Sequence, residues 1–199
     1  MGAHAGAMIH NGSLALGAGG ADVPINPDLN KTGFKGGLLT GYNYQMASVV
    51  LGLEADVGFG NTSGTVNSAN PAFALSEWRV ENAFTQKLNA HIRGRLGYVW
   101  GSALLYAAGG FATTSGDLNI TGYCPDTPPY VYHGNVKHSL QGYTLGAGVE
   151  HALANNILLR AEYLFDDFGK KTYSAGQPWQ DRIVSLQTHT IRAALSYKF

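Results

Sequence analysis

One stretch of the chain, TGYCPDTPPYVYHG at residues 121–134, gathers thiol, phenol and imidazole groups. Its candidate ligand side chains are Tyr123, Cys124, Tyr130, Tyr132 and His133. All three groups serve as axial ligands of haem in proteins, so binding of haem or another small ligand is one hypothesis for this stretch. The stretch lacks the ligand spacing of a metal motif. The alternative is a proline-stiffened surface loop that contacts lipopolysaccharide or a neighbouring protein.

A second group of reactive side chains consists of carboxylates and guanidiniums spread along the chain. The four acids and four bases are Glu54, Asp56, Glu150, Glu162, Arg93, Arg95, Arg160 and Arg192. Such a set could carry protons or ions, but structural ion pairs produce the same composition. Ionised groups inside a narrow interior are costly unless they are paired, so the equal numbers favour a salt-bridged plug.

Strands with two different faces are the elements that would position these charges. Eight segments are predicted as strands: 2–10, 33–45, 48–60, 83–98, 103–116, 138–152, 157–168 and 185–199. In five of them apolar and polar side chains alternate, and the eight charged residues lie on the polar faces. Such strands occur in soluble sandwiches and in barrels whose apolar face meets lipid. Glycine interrupts the alternation in the first, second and fifth strands, so the sequence does not show which of their side chains face the interior.

The connections between the strands distinguish these two folds. Three are short, at Met46–Ala47, Val99–Ser102 and Leu153–Asn156, and they alternate with four long ones. The long connections cover residues 11–32, 61–82, 117–137 and 169–184. This alternation is typical of outer-membrane barrels. The chain is therefore predicted to be one all-β domain, residues 1–199, that forms an eight-stranded antiparallel transmembrane β-barrel with short periplasmic turns and four long extracellular loops. Ten strands are the alternative if 61–82 or 117–137 folds into a hairpin.

Composition agrees with a barrel and excludes several other classes. Only 13% of the residues are charged, and the longest apolar run, Ala103–Ala112, is far shorter than the roughly 18 residues of a transmembrane helix. The formal net charge of zero gives no argument for binding nucleic acid. No nucleophile stands at a recognisable spacing from a base, so no enzyme activity is predicted. The start MGAHAGAMIH shows no signal peptide, and we infer that the signal of an exported barrel is absent from this sequence.

Several stretches together resemble a known family. They are GYNYQ (41–45), LGLEADVGFGN (51–61), IRGRLGYVWGSALLYAAGGFA (92–112), GYTLGAGVEHALANNILLRAEYLFDDFG (142–169) and THTIRAALSYKF (188–199). These stretches are similar to the small outer-membrane β-barrel proteins of alphaproteobacteria, the porin-like, immunogenic surface proteins of the Omp25/Omp31 type. The resemblance implies a bacterial outer-membrane location with both termini in the periplasm. It also implies insertion by the barrel-assembly machinery, whose C-terminal signal is matched by Leu195, Tyr197 and Phe199.

The predicted role is structural and surface-interactive rather than catalytic. We expect the barrel to contact outer-membrane lipids and lipopolysaccharide, and its loops to contact host or neighbouring envelope proteins. No cofactor is predicted, with haem at the stretch around Cys124 and His133 as the alternative. A second alternative is a narrow, porin-like channel through a rearranged lumen. Family members differ in function, so the resemblance does not choose among these roles.

Overall fold

The computed structural model describes residues 1–18, 21–25, 31–69, 79–124, 130–173 and 181–199. These residues form nine β-strands: β1 Gly2–Ala18, β2 Ala21–Ile25, β3 Lys31–Met46, β4 Val49–Ala69, β5 Arg79–Trp100, β6 Ala103–Cys124, β7 Tyr130–Ala152, β8 Ile157–Tyr173 and β9 Asp181–Tyr197. Every pairing between them is antiparallel. The described part of the chain contains no helix that could span a membrane.

The strands close into a ring. Each strand from β3 to β9 pairs with its neighbours in chain order, and β1 pairs with both β3 and β9. The short β2 pairs with the last residues of β1, from Leu14↔Ile25 to Ala18↔Ala21. It lies on the same side of β1 as β3, which pairs with the first part of that strand, from Gly2↔Leu39 to His10↔Lys31. The nine strands therefore fill eight positions around the ring. This confirms the predicted eight-stranded antiparallel barrel.

Tight connections mark one end of the ring, which we call the turn end. Two-residue turns lie at Ala47–Ser48 and Gly101–Ser102, and residues 153–156 join β7 to β8. Ala47 and Gly101 adopt the left-handed conformation that such tight hairpin turns require, with φ angles of 51° and 61°. The predicted second turn, Val99–Ser102, is two residues too long because the ladder of β5 and β6 continues to Trp100↔Ala103.

At the opposite end, which we call the hairpin end, the strands extend beyond their predicted limits. Strands β4 and β5 stay paired from Thr62↔Gln86 to Ala69↔Arg79, and β6 and β7 stay paired to Cys124↔Tyr130. The predicted long loops 61–82 and 117–137 are therefore largely hairpin. They lengthen strands of the ring and add no new position to it, so the ten-strand alternative is wrong. Backbone pairing continues there because a ladder satisfies N–H and C=O groups whatever the side-chain pattern.

The outer surface of the ring carries an apolar band between two rows of aromatic residues. At the turn end the exposed aromatic side chains are Tyr42, Tyr44, Tyr98, Trp100, Tyr197 and Phe199; towards the hairpin end they are Phe34, Phe59, Phe111, Tyr143 and Tyr163. Along β4, Val49 and Phe59 are ten residues apart. Ten steps of about 3.3 Å at a tilt of about 40° rise about 25 Å, which is the height of the apolar band of a membrane barrel.

Candidate functional site: the charged lumen

Charged side chains fill the interior of the ring because strand alternation points one face of every strand inward. All eight acids and bases singled out from the sequence lie inside, and each is at most 5% exposed. Three oppositely charged pairs face each other across neighbouring strands. These pairs are Glu54↔Arg93, Glu150↔Arg160 and Glu162↔Arg192. The register of the strands therefore places each of these carboxylates beside a guanidinium.

Arg93 is at the centre of the network and is 1% exposed. Its Nη1 donates to Glu162 Oε1 at 2.9 Å, and its Nη2 donates to Asp56 Oδ2 at 3.1 Å and to Glu54 Oε1. Arg192 contacts two of the same acids: Nε donates to Glu162 Oε2 at 2.6 Å and Nη1 donates to Asp56 Oδ1 at 3.0 Å. Since these acids come from β4 and β8, the two arginines join strands on different sides of the lumen.

A second set of ion pairs lies nearer the turn end. Arg160 donates from Nε and Nη2 to Glu150 Oε2, at 3.0 and 2.8 Å, and from Nη1 to Glu54 Oε2. The guanidinium of Arg95 stacks over the ring of Tyr106, 4.1 Å from its centre. The Tyr106 hydroxyl donates to Glu162 Oε1 at 2.8 Å, so this tyrosine connects the two sets.

The lumen also contains buried polar residues that are not among the eight charges chosen from the sequence. His91 has Nδ1 2.9 Å from Asp56 Oδ1 and Nε2 3.3 Å from Asp166 Oδ1. His10 shares a 3.1 Å hydrogen bond with Thr188, and Lys35 is only 4% exposed. Side-chain alternation along the fourth and seventh predicted strands places His91 on the same face as Arg93, and Asp166 on the same face as Glu162. His10 and Lys35 lie on glycine-diluted strands, and so does Tyr106.

The described residues of the lumen include as many carboxylates as arginine and lysine side chains. Asp166 adds a fifth carboxylate and Lys35 a fifth base to the four acids and four bases predicted from the sequence. An unpaired ion in a space of low polarity costs several kcal/mol, so balance is what a folded, enclosed lumen requires.

An apolar cluster lies beyond the charges, on the side of the hairpin end. It consists of Ala112, Leu140, Phe168 and Leu186, contributed by β6 to β9, and each is at most 5% exposed. Because these four side chains face inward, they separate the ion pairs from the hairpin end along this half of the ring.

Inward glycines provide the space that the long side chains occupy. Gly52 lies opposite Arg95, Gly6 opposite Arg192 and Gly148 opposite Tyr106. A Cβ atom at Gly148 would lie 2.6 Å from the Tyr106 hydroxyl and 2.7 Å from the Ala161 carbonyl oxygen. These glycines are therefore part of the network although they carry no charge.

We expect Gly148→Val to lower the free energy of unfolding by about 1–3 kcal/mol, the usual cost of forcing extra atoms into a packed interior. Because the new side chain also displaces the Tyr106 hydroxyl, Glu162 loses a donor. Urea unfolding of the refolded protein, followed by tryptophan fluorescence, measures the change. The control is Ala147→Val, one residue away on the exposed outer face, which should change stability by less than about 0.5 kcal/mol. Equal losses would contradict the packing argument.

The residues of the predicted assembly signal lie on the outer face. Leu195 and Tyr197 are exposed on β9, and the rings of Tyr197 and Phe199 are 5.0 Å apart. The last strand was predicted to run to Phe199 but ends at Tyr197, because β1 and β8 start at Gly2 and Ile157 and offer no further ladder partner. Lys198 instead bonds to Asn156, from its backbone N to the carbonyl oxygen, at 2.8 Å.

The residues of the predicted ligand stretch lie in the hairpin of β6 and β7. Tyr123 and Cys124 end β6, Tyr130 and Tyr132 begin β7, and His133 is exposed opposite Thr121. The side chains of the first four, together with residues 125–129, lie outside the described part of the structure. Within the described residues, no three His, Cys, Asp or Glu side chains are arranged to hold a metal ion.

A closed antiparallel ring with an apolar outer band and a charged interior defines a transmembrane β-barrel. The chain belongs to the outer membrane protein beta-barrel domain family, whose model matches residues 1–199. It is thus an outer-membrane β-barrel protein.

Named relatives agree with this family. The chain is 34% identical over 176 residues to the 31 kDa outer-membrane immunogenic protein of Brucella melitensis, covering 86% of this chain and 69% of that protein. It is 34% identical over 146 residues to the 22 kDa outer membrane protein of Rhizobium leguminosarum bv. viciae, covering 73% of this chain and 58% of that protein. The chain therefore spans little more than half the length of the Rhizobium protein. These findings confirm the resemblance drawn from the sequence.

A solved structure shows the same fold. The outer membrane protein OprG from Pseudomonas aeruginosa matches with a TM-score of 0.56 at 14% identity, covering 100% of this chain and 96% of that chain. At this identity the match supports the barrel architecture and nothing further.

Proposed function

We propose that this protein is a closed structural barrel of a Gram-negative outer membrane, which supports the envelope and presents its hairpin end to the cell exterior. The observation that carries the proposal is the buried network in which Arg93, Arg160 and Arg192 are bonded to acids on other strands. A network of this kind holds the wall together and occupies the space that a channel would need.

The dimensions of the ring support a closed lumen. Eight strands enclose a space only just wide enough for side chains to fill. To open a water path, the guanidiniums of Arg93 and Arg192 would have to leave Asp56 and Glu162. Separating such buried partners costs several kcal/mol for each ion left unpaired.

The outer surface supports an orientation and a set of partners. Barrels of this class have short turns on the periplasmic side and longer connections outside, which would place the turn end and both chain ends in the periplasm. The two aromatic rows suit the two lipid interfaces, with lipopolysaccharide at the row nearer the hairpin end. The barrel-assembly machinery would insert the chain, and host or neighbouring envelope proteins would meet the hairpins.

Planar-bilayer recording of the detergent-refolded protein tests the closed barrel. We expect no steady conductance from the wild-type chain, with insertion checked by quenching of its tryptophan fluorescence by brominated lipid. Arg95→Ala is recorded beside it and should stay closed, because Arg95 is the most weakly bonded guanidinium of the network. Steady, size-selective conductance from the wild type would overturn the proposal and favour the narrow channel.

Haem binding by the hairpin of β6 and β7 stays a prediction. A Soret band that titrates with added haemin, and that is lost in Cys124→Ser or His133→Ala, would establish it. No contact among the described residues favours this function over the structural one.

A further inference from the structure

The outer surface of β8 changes in chemistry from the turn end to the hairpin end. Its successive outward side chains are those of Leu159, Ala161, Tyr163, Phe165 and Asp167. A bulge follows, with Gly169 in the left-handed conformation at a φ of 64°, and pairing resumes at Lys170↔Ser185. Ser185 precedes the buried Leu186 on β9 and so points outward, and its ladder partner Lys170 shares that face. Hydrocarbon, aromatic, carboxylate and ammonium groups therefore follow one another along this strand.

The strands on either side of β8 show the same order. Towards the hairpin end, their outward side chains are Leu195, Ala193, Ile191, His189 and Gln187 on β9, and Val149, Ala147, Leu145, Tyr143 and Gln141 on β7. Along β8, the four residues from Tyr163 to Asp167 rise about 10 Å at about 3.3 Å per residue and a tilt of about 40°. Asp167 and Gln187 therefore lie just beyond the aromatic row, at the depth of lipid headgroups.

Asp167 is held in place by three donors. Its Oδ2 accepts from Gln187 Nε2 at 3.0 Å and from the Tyr143 hydroxyl at 3.3 Å, and its Oδ1 accepts from the backbone N–H of Gly169 at 2.8 Å. The Tyr143 ring also packs against Phe165, with centroids 6.4 Å apart. A carboxylate, a carboxamide and an aromatic face are thus fixed side by side on the outer surface.

His189 lies one step closer to the apolar band. Its ring is 5.1 Å from that of Phe165, and its Nδ1 is 2.7 Å from the Tyr163 hydroxyl oxygen. The imidazole is half-buried between these two aromatic side chains, with its other nitrogen, Nε2, making no hydrogen bond with the described residues.

Several groups of this surface keep hydrogen-bonding capacity that the described residues do not use. Gln187 Oε1 accepts no hydrogen bond from them, and Asp167 Oδ1 accepts only one of the two that it can take. Both side chains are half-buried rather than enclosed, and Lys170 is exposed with no ion pair to a described residue. By contrast, the exposed Lys87 on β5 is paired with Asp117. The outer face of β7–β9 can therefore bond a ligand that lies against it.

The free groups indicate the class of that ligand. Hydroxyl and amide groups of a sugar both donate and accept, so they complement an acceptor-only carboxylate beside a carboxamide. The apolar face of a sugar ring suits an aromatic side chain, and an ammonium group binds phosphate. The apolar band below suits acyl chains. A phospholipid would supply the phosphate and the chains but no sugar ring.

We propose that the outer face of β7–β9 holds one phosphorylated and acylated sugar lipid, with a sugar ring on Asp167, Gln187 and Tyr143 and a phosphate on Lys170. Its acyl chains lie along the apolar band, past Ile191 and Leu145. This inference rests on the orientation proposed above, in which this surface lies in the outer leaflet, and it assigns a site to the lipopolysaccharide named there.

Competition between two lipids for the detergent-refolded barrel tests the site. The barrel is mixed with equimolar lipid A and phosphatidylglycerol in micelles, and native mass spectrometry measures how much of each stays bound. We expect lipid A to be bound at least about tenfold more than phosphatidylglycerol, because only lipid A bonds to Asp167 and Gln187. Equal occupancy, or a preference for phosphatidylglycerol, would overturn the proposal. Membrane orientation plays no part in micelles, so this result is independent of the orientation itself.

Two variants locate the site, and a third is the control. Gln187→Leu removes hydrogen bonds at the sugar, and Lys170→Gln removes the charge at the phosphate. Each should lower the occupancy of lipid A by about tenfold. Lys87→Gln removes an exposed cation on β5, away from the site, and should leave the occupancy unchanged.

Folding of each variant is checked by its heat-modifiable mobility in gel electrophoresis. If Gln187→Leu does not refold, Lys170→Gln still decides the outcome, since its side chain is exposed. Wild-type occupancy in a folded Lys170→Gln barrel would overturn the proposal. An equal loss in Lys87→Gln would show unspecific attraction to charge and would overturn it as well.

Discussion

Replacing Arg93 with alanine is expected to lower the free energy of unfolding by about 3–5 kcal/mol, the cost of removing one partner from a buried ion pair. The change removes donors from Glu54, Asp56 and Glu162 together, and each of these acids is at most 5% exposed. Arg192 and Arg160 still contact them but cannot supply the lost charge. Reversible urea unfolding in detergent or liposomes, followed by tryptophan fluorescence, measures the loss.

Arg95→Ala is the matched control, since it makes the same chemical change two residues along the same strand. We expect a smaller loss of about 1–2 kcal/mol, because Arg95 contributes mainly its stacking on Tyr106 and two contacts of 3.5 and 3.7 Å. In the double variant Arg93→Ala/Glu162→Ala, part of the loss should be recovered because one unpaired carboxylate is removed with its partner. Equal losses for Arg93→Ala and Arg95→Ala would contradict a network centred on Arg93.

Single cysteines at the two ends of the barrel should differ in whether a membrane-impermeant maleimide labels them on intact cells. In a Cys124→Ser background expressed in a Gram-negative host, His133→Cys lies on the hairpin of β6 and β7 and should be labelled on intact cells. Ala154→Cys lies in the turn between β7 and β8 and should be labelled only after the outer membrane is permeabilised. Both positions are exposed, so accessibility within the fold does not explain a difference.

The physical reason for this expectation is the position of the apolar band. The band occupies the turn-side part of the strands, and the hairpins of β4–β5 and β6–β7 continue beyond it. Labelling is compared with that of the cysteine-free Cys124→Ser chain, which gives the background. Labelling of Ala154→Cys but not His133→Cys on intact cells would reverse the proposed orientation.

The sequence alone predicted which residues share a face, because side-chain alternation along a strand is a local property. Strand β9 illustrates this: Ile191, Leu195 and Tyr197 face outward, whereas Arg192 faces inward. The strict alternation of short and long connections then predicted the closed barrel. Alternation was not informative in the apolar run around Tyr106 or in the glycine-rich first strands, so the sequence did not predict the inward positions of His10 and Lys35.

Only the tertiary structure decided which charges meet. The register of neighbouring strands pairs Glu54 with Arg93, and a slip by one residue would have turned one of them toward lipid. Closure of the ring then brings Asp56 on β4 to Arg192 on β9, residues 136 positions apart in the chain. The sequence determined that acids and bases face inward in equal number. Which of them bond to each other, and how weakly Arg95 is bonded, depends on distances across the lumen, which are set only once the barrel is closed.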